Sequence, residues 1–307
     1  MDKPFITIDE QVKKLRSRGL IVADSAKYVL MRESYYAIIN GYKEPFINRE
    51  LSGKANDDRY MAGTTFDDIY SLFTFDRKLR NLTFEYVIQA EAVLKTAVIY
   101  VFSEHHRDDN AFLNKDNFCL KKEYYNPNKY NDELENLIKV LKHKVEEGKT
   151  DYIKYYRSHH DCIPLWVISN NMTFGNIIHF FELMKTKERI KVAKMVTEAV
   201  GRLGNTHCKY FGEVQIRKSS ETLNKFRNAC AHDERLYSMR VGITPVSYSQ
   251  MIWLLEHYLF STEFNAFIDK LRNLVSQYKQ QENIRKVLVK AGINDFTNDG
   301  VTIKTNK

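Results

Sequence analysis

Arg227, Asn228 and His232 fall together in the run Ser219 to Arg240. On a helix Asn228 and His232, four apart, share a face, and the long side chain of Arg227 reaches round toward it. A guanidinium, an amide and an imidazole beside the small residues Ala229 and Ala231 suit one chemistry in particular. The guanidinium is a fixed cation for phosphate oxygens, and the imidazole moves protons near neutral pH. Phosphodiester transfer requires both. The same residues also describe the solvated basic face of a surface helix, and that alternative stays open. With 17 arginines and 9 histidines in 307 residues, chance supplies about half a match to Arg-x4-His. A second match, Arg202 to His207, has Gly201 before it and Gly204 within it, which favours a turn over a rigid helix.

The elements that must position this trio are helices. Ser220 has the side chain of a helix N-cap, with acidic Glu221 beside it, and Leu223, Phe226 and Cys230 recur at three- and four-residue steps as a buried stripe. The whole chain has only 12 Gly and 5 Pro, too few for the turns of an all-β protein, so the expected class is all-α. Four scattered cysteines (Cys119, Cys162, Cys208, Cys230) include no Cys-x-x-Cys pair, which suits a reducing cytoplasm and argues against structural zinc. No apolar run approaches a membrane span, and Lys3 and Asp9 leave no signal-peptide core. The net charge of +8 is compatible with a polyanionic partner without requiring one.

Along the chain, Thr7-x-x-Glu10 is a capping box for a first helix, and Asp24 or Ser25 opens a second. Tyr35, Tyr36 and Tyr42 either stack on unpaired bases or pack a core with their hydroxyls at its rim. Residues 49–63 read as a polar connector. Thr65-x-x-Asp68 then caps a long helix reaching about Val101, with Glu91 and Lys95 placed as an i, i+4 surface pair. Residues 105–131 read as a long loop in which Lys115, Lys121, Lys122 and Lys129 accompany Tyr124, Tyr125 and Tyr130. Further helices are expected over 132–147, from Thr173, over 187–200, 248–258 and 262–278, followed by a polar tail. His159-His160-Asp161 invites a metal, but adjacent helical residues point about 100° apart and no further ligand stands at metal spacing.

These segments together resemble the Abi-like family of bacterial abortive-infection proteins. The resemblance rests on Lys3-Pro4-Phe5 and Leu15 to Leu20, then Ser34-Tyr35-Tyr36, Gly41-Tyr42 and Pro45-Phe46. It continues through Phe75 to Arg80, Glu91 to Thr96, Pro164-Leu165-Trp166 and Thr173-Phe174-Gly175, ending in Arg227-Asn228-Ala-Cys-Ala-His232-Asp-Glu-Arg235-Leu236-Tyr237. That last block looks like the Arg-x4-6-His signature of HEPN domains, helical units found in many metal-independent ribonucleases.

The resemblance implies an all-α, HEPN-like helical bundle with an N-terminal helical extension. The expected division is an N-terminal helical segment over 1–58, a core carrying the motif over 59–280, and a polar tail over 281–307. It also implies a cytoplasmic homodimer in phage defence whose paired motifs cleave RNA through the ribose 2′-OH, with no cofactor and no metal. His232 would be the acid-base group, Arg227 would stabilise phosphate charge, and Asn228 would position the imidazole or the phosphate. Lys225, Arg235 and Tyr237 are candidate RNA contacts, and a small RNA is a candidate antitoxin or guide. Asp233, where the family more often has a bulky residue, introduces a carboxylate beside the histidine. The competing expectation is a HEPN protein that only binds RNA or a partner, as a sensor or scaffold.

Overall fold

Capping chemistry at three threonines sets the frame. In the computed structural model, which describes residues 4–201 and 211–293, Thr7 and Glu10 cap each other reciprocally, as do Thr65 and Asp68, and Thr173 and Asn176. In chain order the helices are α1 (Ile8–Ser17), α2 (Ala26–Glu33), α3 (Arg49–Ala55), α4 (Phe66–His105), α5 (Tyr130–Glu147), α6 (Asp151–His159), α7 (Leu165–Ile168), α8 (Phe174–Leu183), α9 (Thr186–Ala199), α10 (Glu213–Ala231), α11 (Tyr248–Leu255), α12 (Ser261–Lys279) and α13 (Glu282–Ala291). The one described sheet is the antiparallel pair β1 (Arg240–Val241) and β2 (Val246–Ser247). With 71% of the chain helical, the fold is all-α.

The chain divides into two units. The first comprises the residues up to Leu82, Ala229–Met239 and the chain from Phe267 on. Its core is built by Leu15, Leu30, Ile38, Ile39, Phe46, Leu72, Phe75 and Leu79, with Phe267 and Leu271 of α12. Tyr42 is buried here, so of its two readings the core one holds, whereas Tyr36 is exposed. The supposed connector at 49–63 contains α3, and its acidic pair Asp57 and Asp58 is tied to Arg18. The supposed tail also needs correction. Ile284, Val287, Leu288 and Ala291 form a buried stripe on α13, because apolar residues at helical spacing outweigh the polar composition around them.

The second unit comprises Thr83–Asn228 and Arg240–Ala266. Its core gathers Phe102, Phe118 and Phe180 in mutual edge and tilted ring contacts, together with Leu137, Leu141 and Ile177. Gly148 stops α5 where a Cβ would meet the Lys144 carbonyl at 2.5 Å and the Ile153 side chain at 2.9 Å, so the backbone approach requires glycine. The expected long loop is present between α4 and α5 and carries three short 3₁₀ turns, with Tyr124 buried and Arg217 lying 4.5 Å over the Tyr125 ring. Among the described residues α4 alone is long and apolar enough to cross a membrane. Over half of its most apolar window, 56%, is buried within the protein, as in a core helix.

A buried carboxyl in this unit gives a pH dependence. Burial, followed by the neighbouring Glu221 carboxyl, pushes Glu182 up to about 8. A raised folded pKa means that the native state holds this proton more tightly than the unfolded chain. The resulting stabilisation is complete below about pH 4.5 and is lost as pH rises through about 8. Glu182→Gln, which mimics the protonated form, is therefore expected to match the parent near pH 5. At pH 9 it should be more stable by on the order of a few kcal/mol. Urea melts at the two pH values check this, and a variant destabilised equally at both would contradict it.

Candidate functional site

Helix α10 begins at Glu213, a full two turns before Ser220. Ser220 is therefore not its cap. It is buried in mid-helix, and its hydroxyl donates to the Arg217 carbonyl at 3.0 Å. The buried stripe is Ile216, Ser219, Leu223, Phe226 and Ala229. Ser219 is hydrogen-bonded to the Tyr258 hydroxyl at 2.7 Å, and Phe226 meets the edge of Tyr248. With that stripe fixed, Lys225 and Asn228 are exposed and Arg227 is half-buried. The Arg227 side chain is 30% exposed with its Nε buried, and His232 is exposed.

In the second unit, Arg227 lies over the Phe84 ring at 5.6 Å, with its Nε 3.5 Å from a Glu91 carboxylate oxygen. That approach is an ion pair without hydrogen-bond geometry: neither atom has a hydrogen-bond partner among the described residues. One terminal nitrogen donates weakly to the Asn228 side-chain oxygen at 3.4 Å. The expected Glu91–Lys95 surface pair does not form, since Glu91 faces Arg227 instead.

In the first unit, α10 ends at Ala231 and His232 is the residue after it, exposed and without a hydrogen bond among the described residues. The stop is a Schellman turn. The Glu234 amide donates back to the Ala229 carbonyl at 3.0 Å, and Asp233 takes the left-handed conformation (φ 56°) usually left to glycine. An aspartate tolerates that conformation at a cost on the order of 1 kcal/mol. Here its carboxylate accepts from Arg80 Nη2 at 3.0 Å. Burial pushes the Cys230 thiol up to about 12, so it supplies no thiolate near neutral pH.

Asp76 and Arg80 organise the chain after His232. Asp76 is fully buried and Arg80 is 2% exposed. The Asp76 carboxylate accepts from the Leu236 and Tyr237 amides (2.9 and 2.7 Å), from the Tyr42 hydroxyl (2.8 Å) and from Arg80 (2.9 Å). Burial raises its pKa above the ordinary value, and the four donors oppose that rise. Arg80 further donates to the Glu234 carbonyl at 3.4 Å, and Arg235 to the Gly41 carbonyl at 3.2 Å. The residues on either side of His232 are thus fastened while its side chain is left in solvent.

Sequence reasoning overlooked this network. The available signal was two charges four residues apart, Asp76 and Arg80, on the stripe marked by Leu72, Phe75, Leu79 and Thr83. Of the candidate RNA contacts, Lys225 and Arg235 are exposed. Tyr237 is buried and stacked near Tyr42 at 6.3 Å, so its ring is not available to a base. The second Arg-x4-His match, Arg202 to His207, lies outside the described residues. No group of three or more His, Cys, Asp or Glu side chains converges on a metal-sized site among the described residues. His159 instead accepts a stacking contact from Tyr155.

Comparison with known proteins places the chain more firmly. Residues 28–238 match the family model described as Abi-like protein, well over half of the chain. No curated protein and no solved structure matches it. The chain belongs to the Abi-like family, and that membership suggests a part in abortive-infection phage defence.

Proposed function

We propose that this protein is a metal-independent endoribonuclease of the HEPN type, acting in the cytoplasm as the toxic arm of phage defence. The observation that carries the proposal is the complete Arg227-Asn228-x3-His232 motif with an exposed imidazole at a fastened helix end. His232 takes the ribose 2′-OH proton or protonates the leaving 5′-oxygen. Arg227 holds charge on the phosphate, and Asn228 orients the imidazole or the phosphate. A second copy of the chain brings a second motif to the same substrate, and Lys225 and Arg235 meet the RNA backbone. A small RNA made to fold on the protein would hold it inactive until infection.

One observation favours a second reading. Arg227 already faces the Glu91 carboxylate, which offsets part of its charge. A HEPN protein that binds RNA without cutting it tolerates that pairing better than a nuclease does. Purified protein incubated with single-stranded RNA in EDTA separates the two. Cleavage of RNA that spares the DNA counterpart is expected. Retention of intact RNA would leave the binding protein.

A further inference from the structure

We propose that a groove in the second unit, between α4 and α7, is a binding site for an unpaired RNA strand; this rests on RNA being the substrate. The groove has a volume of about 590 Å³ and lies well away in sequence from the Arg227 motif. Its walls carry two large aromatic rings in solvent, Trp166 of α7 at 58% exposure and Tyr100 of α4 at 56%. Lys95 and Arg107 line the same groove. Neither cation forms an ion pair among the described residues, and Arg107 donates to the backbone carbonyl of Glu104 at 3.3 Å. Lys95 is released for this surface because Glu91, one turn earlier, faces Arg227.

Tyr100 is also a wall of a second groove of about 550 Å³ along α9, where Lys191 and Lys194 stand. Across both grooves four cations (Lys95, Arg107, Lys191, Lys194) meet two carboxylates, Glu104 and Glu198, and Glu104 is already paired with Lys191. Exposed rings spaced among excess cations match an unpaired polynucleotide. Bases stack on Trp166 and Tyr100 while the phosphates meet Lys95 and Arg107. A duplex does not fit this chemistry, since its base faces are already stacked.

The test uses the full chain carrying His232→Ala, so that bound RNA survives, titrated with a fluorescein-labelled oligouridylate of about twelve nucleotides. Trp166→Ala and Tyr100→Ala are each expected to weaken binding about tenfold. The pair Lys95→Glu and Arg107→Glu is expected to flatten the salt dependence. In a Trp253→Phe background, RNA should quench the emission of Trp166, which needs no change to the groove. Failure of the chain to bind, or equal affinity in a Trp166→Ala, Tyr100→Ala double variant, overturns the groove. Equal affinity with cleavage intact in the His232 chain would leave the nuclease standing. Groove-dependent binding without cleavage would keep the groove and remove the nuclease.

Discussion

His232→Ala is expected to lower RNA cleavage by purified protein at least a hundredfold, the usual weight of a general acid-base group. It should also release cells from growth arrest on overexpression. Because the imidazole is exposed and makes no described hydrogen bond, the substitution should move stability by no more than about 0.5 kcal/mol. That combination, activity lost and fold kept, distinguishes a chemical role from a structural one. His232→Gln, which keeps size and polarity without the proton chemistry, should be as inactive as alanine. Should the alanine variant arrest growth as strongly as the parent, cleavage through this imidazole is not what harms the cell.

The largest effect on stability is expected at Asp76. Asp76→Ala strips the buried one of two carboxylate partners from a guanidinium that is 2% exposed, leaving it only the exposed Asp233, and leaves the Leu236 and Tyr237 amides without their acceptor. Breaking a buried pair costs about 3–5 kcal/mol when one charge is left wholly unpaired; with Asp233 still on Arg80 but two amides orphaned, a loss of about 3 kcal/mol is expected. Replacing both members of the pair, Asp76→Leu with Arg80→Met, should recover part of that loss, because the buried cation is removed along with its partner. Chemical denaturation of the single and double variants measures both quantities. A single variant within about 1 kcal/mol of the parent would mean that the carboxylate's four donors find other partners. Since Asp76 and Arg80 hold residues 233–237, their loss should also slow cleavage at His232 without either residue touching the substrate.

What was legible in the sequence is local. Thr7 with Glu10, Thr65 with Asp68 and Thr173 with Asn176 announce helix starts because a cap is a contact between residues three apart. The stripe Leu223 and Phe226 was equally readable. Ser220 shows the limit: its type favours a cap, yet burial of Ile216 and Ser219 pulls the helix two turns further back, and tertiary packing overrides the local preference. Tyr237 reads as a surface ring in the sequence, but it is buried where its backbone amide donates a hydrogen bond to the Asp76 carboxylate, 161 residues away. No spacing rule reaches that far. The stripe Ile284, Val287, Leu288 and Ala291 was present at helical period but hidden among lysines, arginines and glutamines. The groove of Trp166 and Tyr100 joins residues from two helices and could only be met in three dimensions.

The chemistry assigned to Arg227 and His232 leaves a signature on its product. Attack by a ribose 2′-oxygen yields a 2′,3′-cyclic phosphate and a 5′-hydroxyl, and needs no divalent ion. Mass analysis of fragments released from a defined single-stranded RNA by the purified chain in EDTA reads this directly. Cyclic-phosphate ends, absent with His232→Ala and absent when the substrate ribose lacks its 2′-hydroxyl, are the expected result. Fragments ending in a 3′-hydroxyl, formed only when magnesium is supplied, would contradict it.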